Sequence, residues 1–419
     1  MTEPRKVGWN TEADVDVAII GAGMAGGALA AALLGSGLRL ALVEARPLSP
    51  PPLPPERGLD TFDSRVSALN PESSAFLERL GSWSAVTAYR ACPYHHMSVW
   101  DAEGTGNIEF DAADVDRAEL GHIVENRAVV SALLGRLQGA PELRVLAPAS
   151  LDAIDRDAGG ISLILSGGQR LRARVLVAAD GALSSVRSLL DFQTREWDYG
   201  HRALVATVAI ERPHAHTAWQ RFLPSGPLAF LPLSAGEAGL AGEQANYCSI
   251  VWSLQEALAD DILALDDSAF CQRLGRAFEH RLGKVLGASP RVAFPLRQRH
   301  AVNYVQPRVA LVGDAAHTIH PLAGQGINLG LKDVAVLAGE LLVAHRQRQD
   351  PGSLEVLRRY QRRRKGENLL MMGAMDAFKR LFEQQSLPLR WLRNAGMSAV
   401  HRAGPVKQEI MRRAMGLGG

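Results

Sequence analysis

The chain has 419 residues, 47% of them apolar and 21% charged, with a net charge of +2. That length allows two or three domains around a sizeable core, and the near-neutral balance, without a basic run interleaved with aromatics, argues against a nucleic-acid partner. Three widely spaced cysteines, Cys92, Cys248 and Cys271, suit a reducing compartment and form neither a disulfide framework nor a metal site. No His/Cys/carboxylate cluster appears, so no metal is expected.

Residues 1–14 mix acids and bases and hold no apolar stretch before a cleavage site, so no leader is expected. Val17 to Leu38 is uncharged and long enough to mimic a membrane span, but its glycines read instead as strand, turn and helix. Asp16 to Ile20 is a short apolar strand, followed by Gly21-Ala22-Gly23-Met24-Ala25-Gly26 and an alanine-rich helix to about Leu34. A strand from Leu38 to Val43 then ends in Glu44. This is G-x-G-x-x-G with an acid about twenty residues on. The first glycine permits the tight turn, the second lets backbone approach a pyrophosphate, and the third lets helix pack on strand. Glu44 suits a ribose hydroxyl pair and disfavours a 2′-phosphate. The plain alternative is a glycine-rich turn in an ordinary α/β core.

Arg46 to Gly58 is proline-rich and reads as a stiff surface loop rather than a polyproline ligand. After Asp63-Ser64-Arg65-Val66-Ser67-Ala68-Leu69, Asn70 as N-cap, Pro71 and Glu72 start a helix that Gly81 ends. Arg65 has two readings at this point, a contact to a phosphate or bound ring and a surface ion pair. Met97 to Asp101 and Asn107 to Phe110 read as strands joined by a glycine turn. Leu120 to Val124 leads into Asn126-Arg127 and a helix to Leu137. A cation at a helix start is disfavoured by the dipole, which gives Arg127 an expected anionic partner such as a pyrophosphate. Leu143 to Ala147, Ile161 to Leu165 and Leu171 to Val177 read as a small β-meander. The strand around Val175 to Ala179 ends in Asp180-Gly181, with Arg187 in the next helix, and Asp180 fits a second dinucleotide contact.

From Ala203 to Pro295 the pattern changes to strand-like runs (Ala203–Ile210, Trp219–Phe222, Leu228–Leu233, Tyr247–Leu254) with one helix at about Asp267 to Leu282. A largely antiparallel sheet there would shape a substrate pocket, with Arg221, Phe222, Pro224, Leu228 and Phe230 as lining candidates or plain core. Arg308 to Val312 then forms a buried strand ending at Gly313-Asp314. A loop with Pro321 follows, and Gly324-Gln325-Gly326 opens a helical pattern from Ile327 to Leu341. Asp314 is placed to accept hydrogen bonds from a polyol such as the ribityl chain of a flavin. The helix start offers free N–H groups and a positive dipole end, which suit the anion of a reduced flavin. Joined to the first motif, this reads as FAD binding. His317 and His320 are acid/base candidates against a structural hydrogen-bonding role. From Leu354 the chain is helical and basic (Arg358, Arg359, Arg362, Arg363, Arg364, Lys365) before Met371, Met372, Met375, Phe378, Leu381 and Phe382. That pattern reads as a helix packed on its own domain, with docking to a membrane or partner as the alternative.

GAGMAG with Glu44, Asp180-Gly181 with Arg187, and Gly313-Asp314 to Asn328 resemble the three fingerprints of flavoprotein aromatic hydroxylases of the p-hydroxybenzoate hydroxylase type. Between them, Asp63-x-Arg65-Val66-Ser67-Ala68-Leu69, Phe76 to Trp83, His122 to Arg127 and Arg221 to Ala229 resemble the ubiquinone-biosynthesis monooxygenases. Val99-Trp100-Asp101-Ala102 and Phe110-Asp111-Ala112 look most like the branch of 2-octaprenylphenol and demethoxyubiquinone hydroxylases. The likeness runs from about Val15 to Phe382; Ile327 stands where many relatives carry Leu.

The resemblance implies an α/β protein. A discontinuous Rossmann-like FAD domain (1–90, 115–190, 296–355) would carry a mostly antiparallel substrate sheet (91–114, 191–295) and a C-terminal helical region (356–419). It implies that NAD(P)H, bound transiently, reduces FAD, that O2 gives a C4a-hydroperoxide, and that an electron-rich carbon of a polyprenylated phenol takes up its distal oxygen. No acid/base side chain is then required; the protein positions the ring and excludes water. Carried over, Pro321 lies by the flavin edge, Arg65 and Arg127 contact the cofactor, and Gly324, Gln325, Gly326, Ile327 and Asn328 border it. The expected location is the cytoplasm, peripheral at the inner face of a membrane, with other quinone-biosynthesis proteins as partners through the C-terminal region. The rival readings are a hydroxylase of small phenols and a non-catalytic flavin-bound subunit. A halogenase is disfavoured, because Trp219 and Trp252 lack a second Trp two residues away.

Overall fold

The structure, a computed structural model, describes residues 13–55, 58–157, 159–234, 246–318, 326–383, 394 and 403–416. Its first layer grows from the apolar strand Ala13–Ile20, which pairs in parallel with Leu40–Val43 on one side and Arg170–Ala178 on the other. Leu143–Leu146 extends the sheet beyond Leu40–Val43, and Val309–Leu311 extends it beyond Arg170–Ala178, both in parallel. Parallel strands are covered on both faces, which is why every residue of Leu40–Val43 is buried. Helices Met24–Leu33, Asn126–Leu137 and Gly326–Arg346 pack on one another around this sheet.

The order has a direct consequence. The strands that carry the first, second and third motifs are immediate neighbours, and all run the same way. Their carboxyl ends therefore place Gly21, Asp180 and Gly313 along one edge, the edge at which open parallel sheets bind ligands. Asp180 and Gly313 lie close in space although 133 positions separate them.

One expectation needs correction here. Leu143–Leu146 is no part of a meander but the outer parallel strand, with Leu40 opposite Leu143. The antiparallel addition is a hairpin of Leu151–Arg156 with Ile161–Leu165, joined to Arg170–Ala178. Leu151–Arg156 escaped the sequence reading because Asp152, Asp155 and Arg156 break its apolar pattern.

The second layer is a nine-stranded sheet in the order His317–Thr318, Val292–Ala301, Thr194–Ile210, Asn246–Gln255, Gly226–Leu233, Thr217–Leu223, His96–Asp101 and Asn107–Asp111, with Val285–Ala288 beside Thr194–Ile210. It is antiparallel except where Thr217–Leu223 meets His96–Asp101. Two helices, Glu256–Leu263 and Asp267–Ala277, cover one face, where one had been expected. The second stops short of Leu282 because Glu279 and His280 turn left-handed, at φ 54° and 51°. Between sheet and helices lies a core of Leu204, Phe230, Ile250, Trp252, Phe270 and Phe278.

The helix Leu354–Glu383 packs along Gly326–Arg346. Its buried stripe repeats every fourth residue, through Val356, Tyr360, Arg364, Asn368 and Met372, as one helix face requires. Part of the basic run turns inward: Arg359 and Arg363 reach Glu340 at 2.7 and 3.1 Å. Among the described residues no helix is long and apolar enough to cross a membrane.

Candidate active site

The turn after the first strand is built by close contact. Gly21 is left-handed (φ +99°), and a Cβ there would lie 2.5 Å from the Ala179 carbonyl oxygen. A Cβ on Gly26 would sit 1.8 Å from the Gly21 oxygen. At Gly23, by contrast, a Cβ would meet nothing within 4 Å, so the backbone lies open just where the helix Met24–Leu33 begins. That helix carries no side-chain cap and no acid in its first turn, leaving N–H groups for an external anion. Met24 and Ala25 pack on the core as the helix enters it. Glu44, at the end of the next strand, accepts from the Ala22 N–H at 2.8 Å and the Arg46 N–H at 3.1 Å.

At the second strand end Asp180 is divided in function. Its Oδ2 accepts from the N–H groups of Ser185 and Val186 at 2.8 and 3.3 Å. Its Oδ1 is buried and has no partner among the described residues, an arrangement that costs about 1–3 kcal/mol unless a donor arrives. Arg187 ties this turn to the third by donating to the Ala315 carbonyl at 2.9 Å.

At the third strand end Gly313 is left-handed at φ +58°. The Asp314 side chain is reached by solvent but crowded by protein around it; that crowding pushes its pKa up, and the charges of His317 and Arg65 pull it partly back. Arg65 is exposed, and its guanidinium lies 6.0 Å over the ring of Phe294. Arg127 does have an anionic partner, but that partner is Glu125, at 2.5 Å; its Nη2 also bonds Thr61 O. Its Nε is buried and has no partner among the described residues. At the start of the following helix, Asn328 donates to Ala68 O at 2.8 Å and accepts from Asn70 N at 3.1 Å. Gly326 and Ile327 open that helix; His320, Pro321, Gly324 and Gln325 lie outside the described residues.

Asp333 was missed by the sequence reading. It is 0% exposed, and its two oxygens take four donors: Gly313 N at 3.2 Å, His317 Nε2 at 2.5 Å, Arg364 Nε at 2.8 Å and Asn368 Nδ2 at 3.1 Å. Although burial works the other way, the surrounding donors and cations hold its pKa below the usual carboxylate value. The available signal was a charge inside the apolar stripe of its helix, matched by Arg364 inside the stripe of the next.

Side-chain alternation relocates the expected pocket lining. Arg221 stands opposite Leu228, and Phe230 opposite Trp219, on the helix-covered face. There Arg221 bonds Ala277 O and Glu279, both within hydrogen-bond range, and Phe230 stacks on Phe278 at 3.9 Å. These residues and Leu228 are core, not cavity wall. Phe222 faces the other way, beside Val99 and Ile108, and Pro224 sits exposed in the hairpin turn.

A mixed apolar and polar cavity among the described residues lies elsewhere. About 400 Å³ opens between strands Thr194–Ile210 and Val292–Ala301 and the helix Leu354–Glu383. Its wall combines Trp197, Leu369 and Met372 with the polar Gln298 and His300 and the cationic Arg195 and Lys365. Gln298 accepts from Tyr199 OH. His300 is pushed down to about 4 by burial, then by His317, Lys365 and Arg195, and is neutral at pH 7. In the sheet His300 pairs with His317, so the cavity lies one strand from the Asp314 turn.

Residues 14–368 match the model of an FAD binding domain family. The 3-demethoxyubiquinol 3-hydroxylase of Escherichia coli is 38% identical across 97% of this chain and 100% of that protein. The human mitochondrial ubiquinone biosynthesis monooxygenase COQ6 is 32% identical across 96% of this chain and 93% of that one. Among solved structures, PqsL of Pseudomonas aeruginosa in complex with 2-aminobenzoylacetate superimposes with a TM-score of 0.74 at 26% identity, covering 92% of this chain and 100% of that one. HpxO of Klebsiella pneumoniae, complexed with FAD and uric acid, shares the fold, with a TM-score of 0.71 at 19% identity, over 96% of this chain and 97% of that one.

Proposed function

The chain belongs to the FAD-binding family of ubiquinone-biosynthesis hydroxylases, and from that premise we propose that it inserts one atom of O2 into the ring of a polyprenylated phenol, with NAD(P)H as reductant. FAD bound here would supply the redox chemistry between nicotinamide and O2. The residues present fit that cofactor. The open backbone at Gly23 and the uncapped helix behind it suit a pyrophosphate, Glu44 suits a ribose, and the orphaned Asp180 Oδ1 awaits a hydroxyl donor. Gly21, Ala22, Met24, Ala25 and Gly26 shape the first turn. Asp314, Arg65, Arg127, Gly326, Ile327 and Asn328 border the remainder, and Pro321, Gly324 and Gln325 are assigned to the flavin edge on sequence grounds.

The observation that carries this reading is the alignment of three motif turns along one sheet edge, one strand away from a mixed apolar and polar cavity. A phenol needs a polar anchor and a prenyl chain needs an apolar wall; Gln298 and His300 offer the first, and Trp197, Leu369 and Met372 the second. We place the enzyme in the cytoplasm at the inner face of a membrane, where such a substrate is supplied.

Deleting the gene and profiling quinone intermediates by mass spectrometry tests the reading. A prenylphenol lacking one oxygen should accumulate and disappear when the gene is restored. Unchanged intermediates and quinone in a strain without a second homologue would overturn it and favour small phenols.

A further inference from the structure

Asp333 stands on the helix Gly326–Arg346, yet its contacts lie on both sides of that helix. Its Oδ2 takes the N–H of Gly313 and Nε2 of His317, so a single oxygen grips both ends of the five-residue turn that presents Asp314. Its Oδ1 takes Arg364 Nε and Asn368 Nδ2 from the helix Leu354–Glu383. Arg364 is 0% exposed and Asn368 likewise. Arg364 Nη2 closes the set on Asn368 Oδ1 at 2.7 Å, and Asn368 Nδ2 also reaches Tyr304 OH at 3.3 Å. Each oxygen of the carboxylate therefore takes two donors, as a fully buried charge demands.

We propose that Asp333 is a positioning residue: through His317 and Gly313 it fixes the Asp314 turn in its cofactor-binding shape, and Arg364 and Asn368 hold Asp333 ready to do so. The turn needs such a clamp. Gly313 sits in a left-handed conformation, and Asp314 has been placed in crowded surroundings that disfavour its charge. Neither condition stabilises the turn by itself. The contact of its Nε2 with Asp333 commits His317 to holding the turn. Because Lys365, Leu369 and Met372 of the same long helix wall the cavity, the clamp also fixes the distance between cavity and turn.

The inference rests on the flavin reading only for its assay. Full-length protein stripped of FAD is titrated with FAD, following the quenching of flavin fluorescence, and apo stability is measured separately by urea denaturation. His317→Gln keeps an N–H at the reach of Nε2; His317→Asn is too short to touch Asp333. The Asn variant should bind FAD about tenfold more weakly, the equivalent of one charge-assisted hydrogen bond, and the Gln variant should stay within about threefold of the parent protein. Arg364→Lys, which retains charge without the planar fork, should fall between them. Equal FAD affinity in the Gln and Asn variants, whether both unchanged or both weakened in step with apo stability, would overturn the proposal. Failure of the unmodified protein to bind FAD would instead overturn the cofactor reading.

Discussion

Gly330 packs straight onto Gly313: a Cβ added at Gly330 would lie 3.3 Å from the Gly313 Cα, tighter than ordinary contact. Helix and turn thus approach through their backbones, and that approach sets the position of Asp314. Gly313→Ala adds left-handed strain to this contact and should destabilise the protein by about 1–2 kcal/mol. Gly330→Ala should cost less, since only a few tenths of an ångström must be yielded. Urea denaturation of the FAD-free protein measures both; equal midpoints for Gly313→Ala and the parent chain would show that the turn does not hold this conformation.

Asp180 has separable duties. Asp180→Ala removes acceptors from the first turn of Ser185–Leu189 and should cost about 1 kcal/mol of stability, as lost helix caps do. It should also weaken FAD binding, because Oδ1 is the orphaned acceptor. Asp180→Asn keeps an oxygen and should restore much of the stability. Denaturation and FAD titration in parallel would separate the duties; unaltered FAD affinity in the Ala variant would confine Asp180 to capping.

Two histidines, one buried and one half-buried, give the fold an acid limit. His300 and His122 are each pushed from the ordinary 6.5 down to about 4, chiefly by burial. Their folded pKa lies below the unfolded one, so the unfolded chain takes up the proton first. Their contribution is intact above 6.5 and is lost as pH falls toward about 4, at up to about 1.4 kcal/mol per pH unit for each. Urea midpoints should fall across that window. His300→Gln should shallow the slope, whereas an unchanged slope would show that His300 does not titrate there.

The three strand-end motifs and their glycines were legible because each is a local device: a turn, a helix start and an acid at fixed spacing. The layer assignment followed from the switch between continuous apolar runs and alternating strands. What sequence left hidden depends on which face a residue takes. Arg221, Leu228 and Phe230 lie in a motif-bearing segment, yet pairing register turns them toward the helices. Asp333, Arg364 and Asn368 are brought together across two helices, a relation no spacing rule expresses. Arg127 was read correctly as needing an anion, but Glu125, two residues before it, supplies one. The cavity residues Trp197, Gln298 and Lys365 come from three separate elements, none of which carries a motif.

The cavity wall offers a comparison within one helix. Leu369 lines the cavity and Leu370, next to it, does not; both are exposed, at 45% and 67%. Successive helix residues point about 100° apart, so only the first is placed to touch a bound chain. Leu369→Glu would put a carboxylate against a prenyl group and forfeit the burial of a leucine-sized apolar surface, about 1.5–3 kcal/mol. KM for a long-chain prenylphenol should therefore rise roughly tenfold or more, while KM for a phenol without the chain should change little. Leu370→Glu should leave both values near those of the parent enzyme. FAD content, measured by absorbance, should be equal in all three proteins. Equal effects of the two substitutions on the long-chain substrate would trace the loss to the charge of the exposed helix surface and dissociate the cavity from the chain.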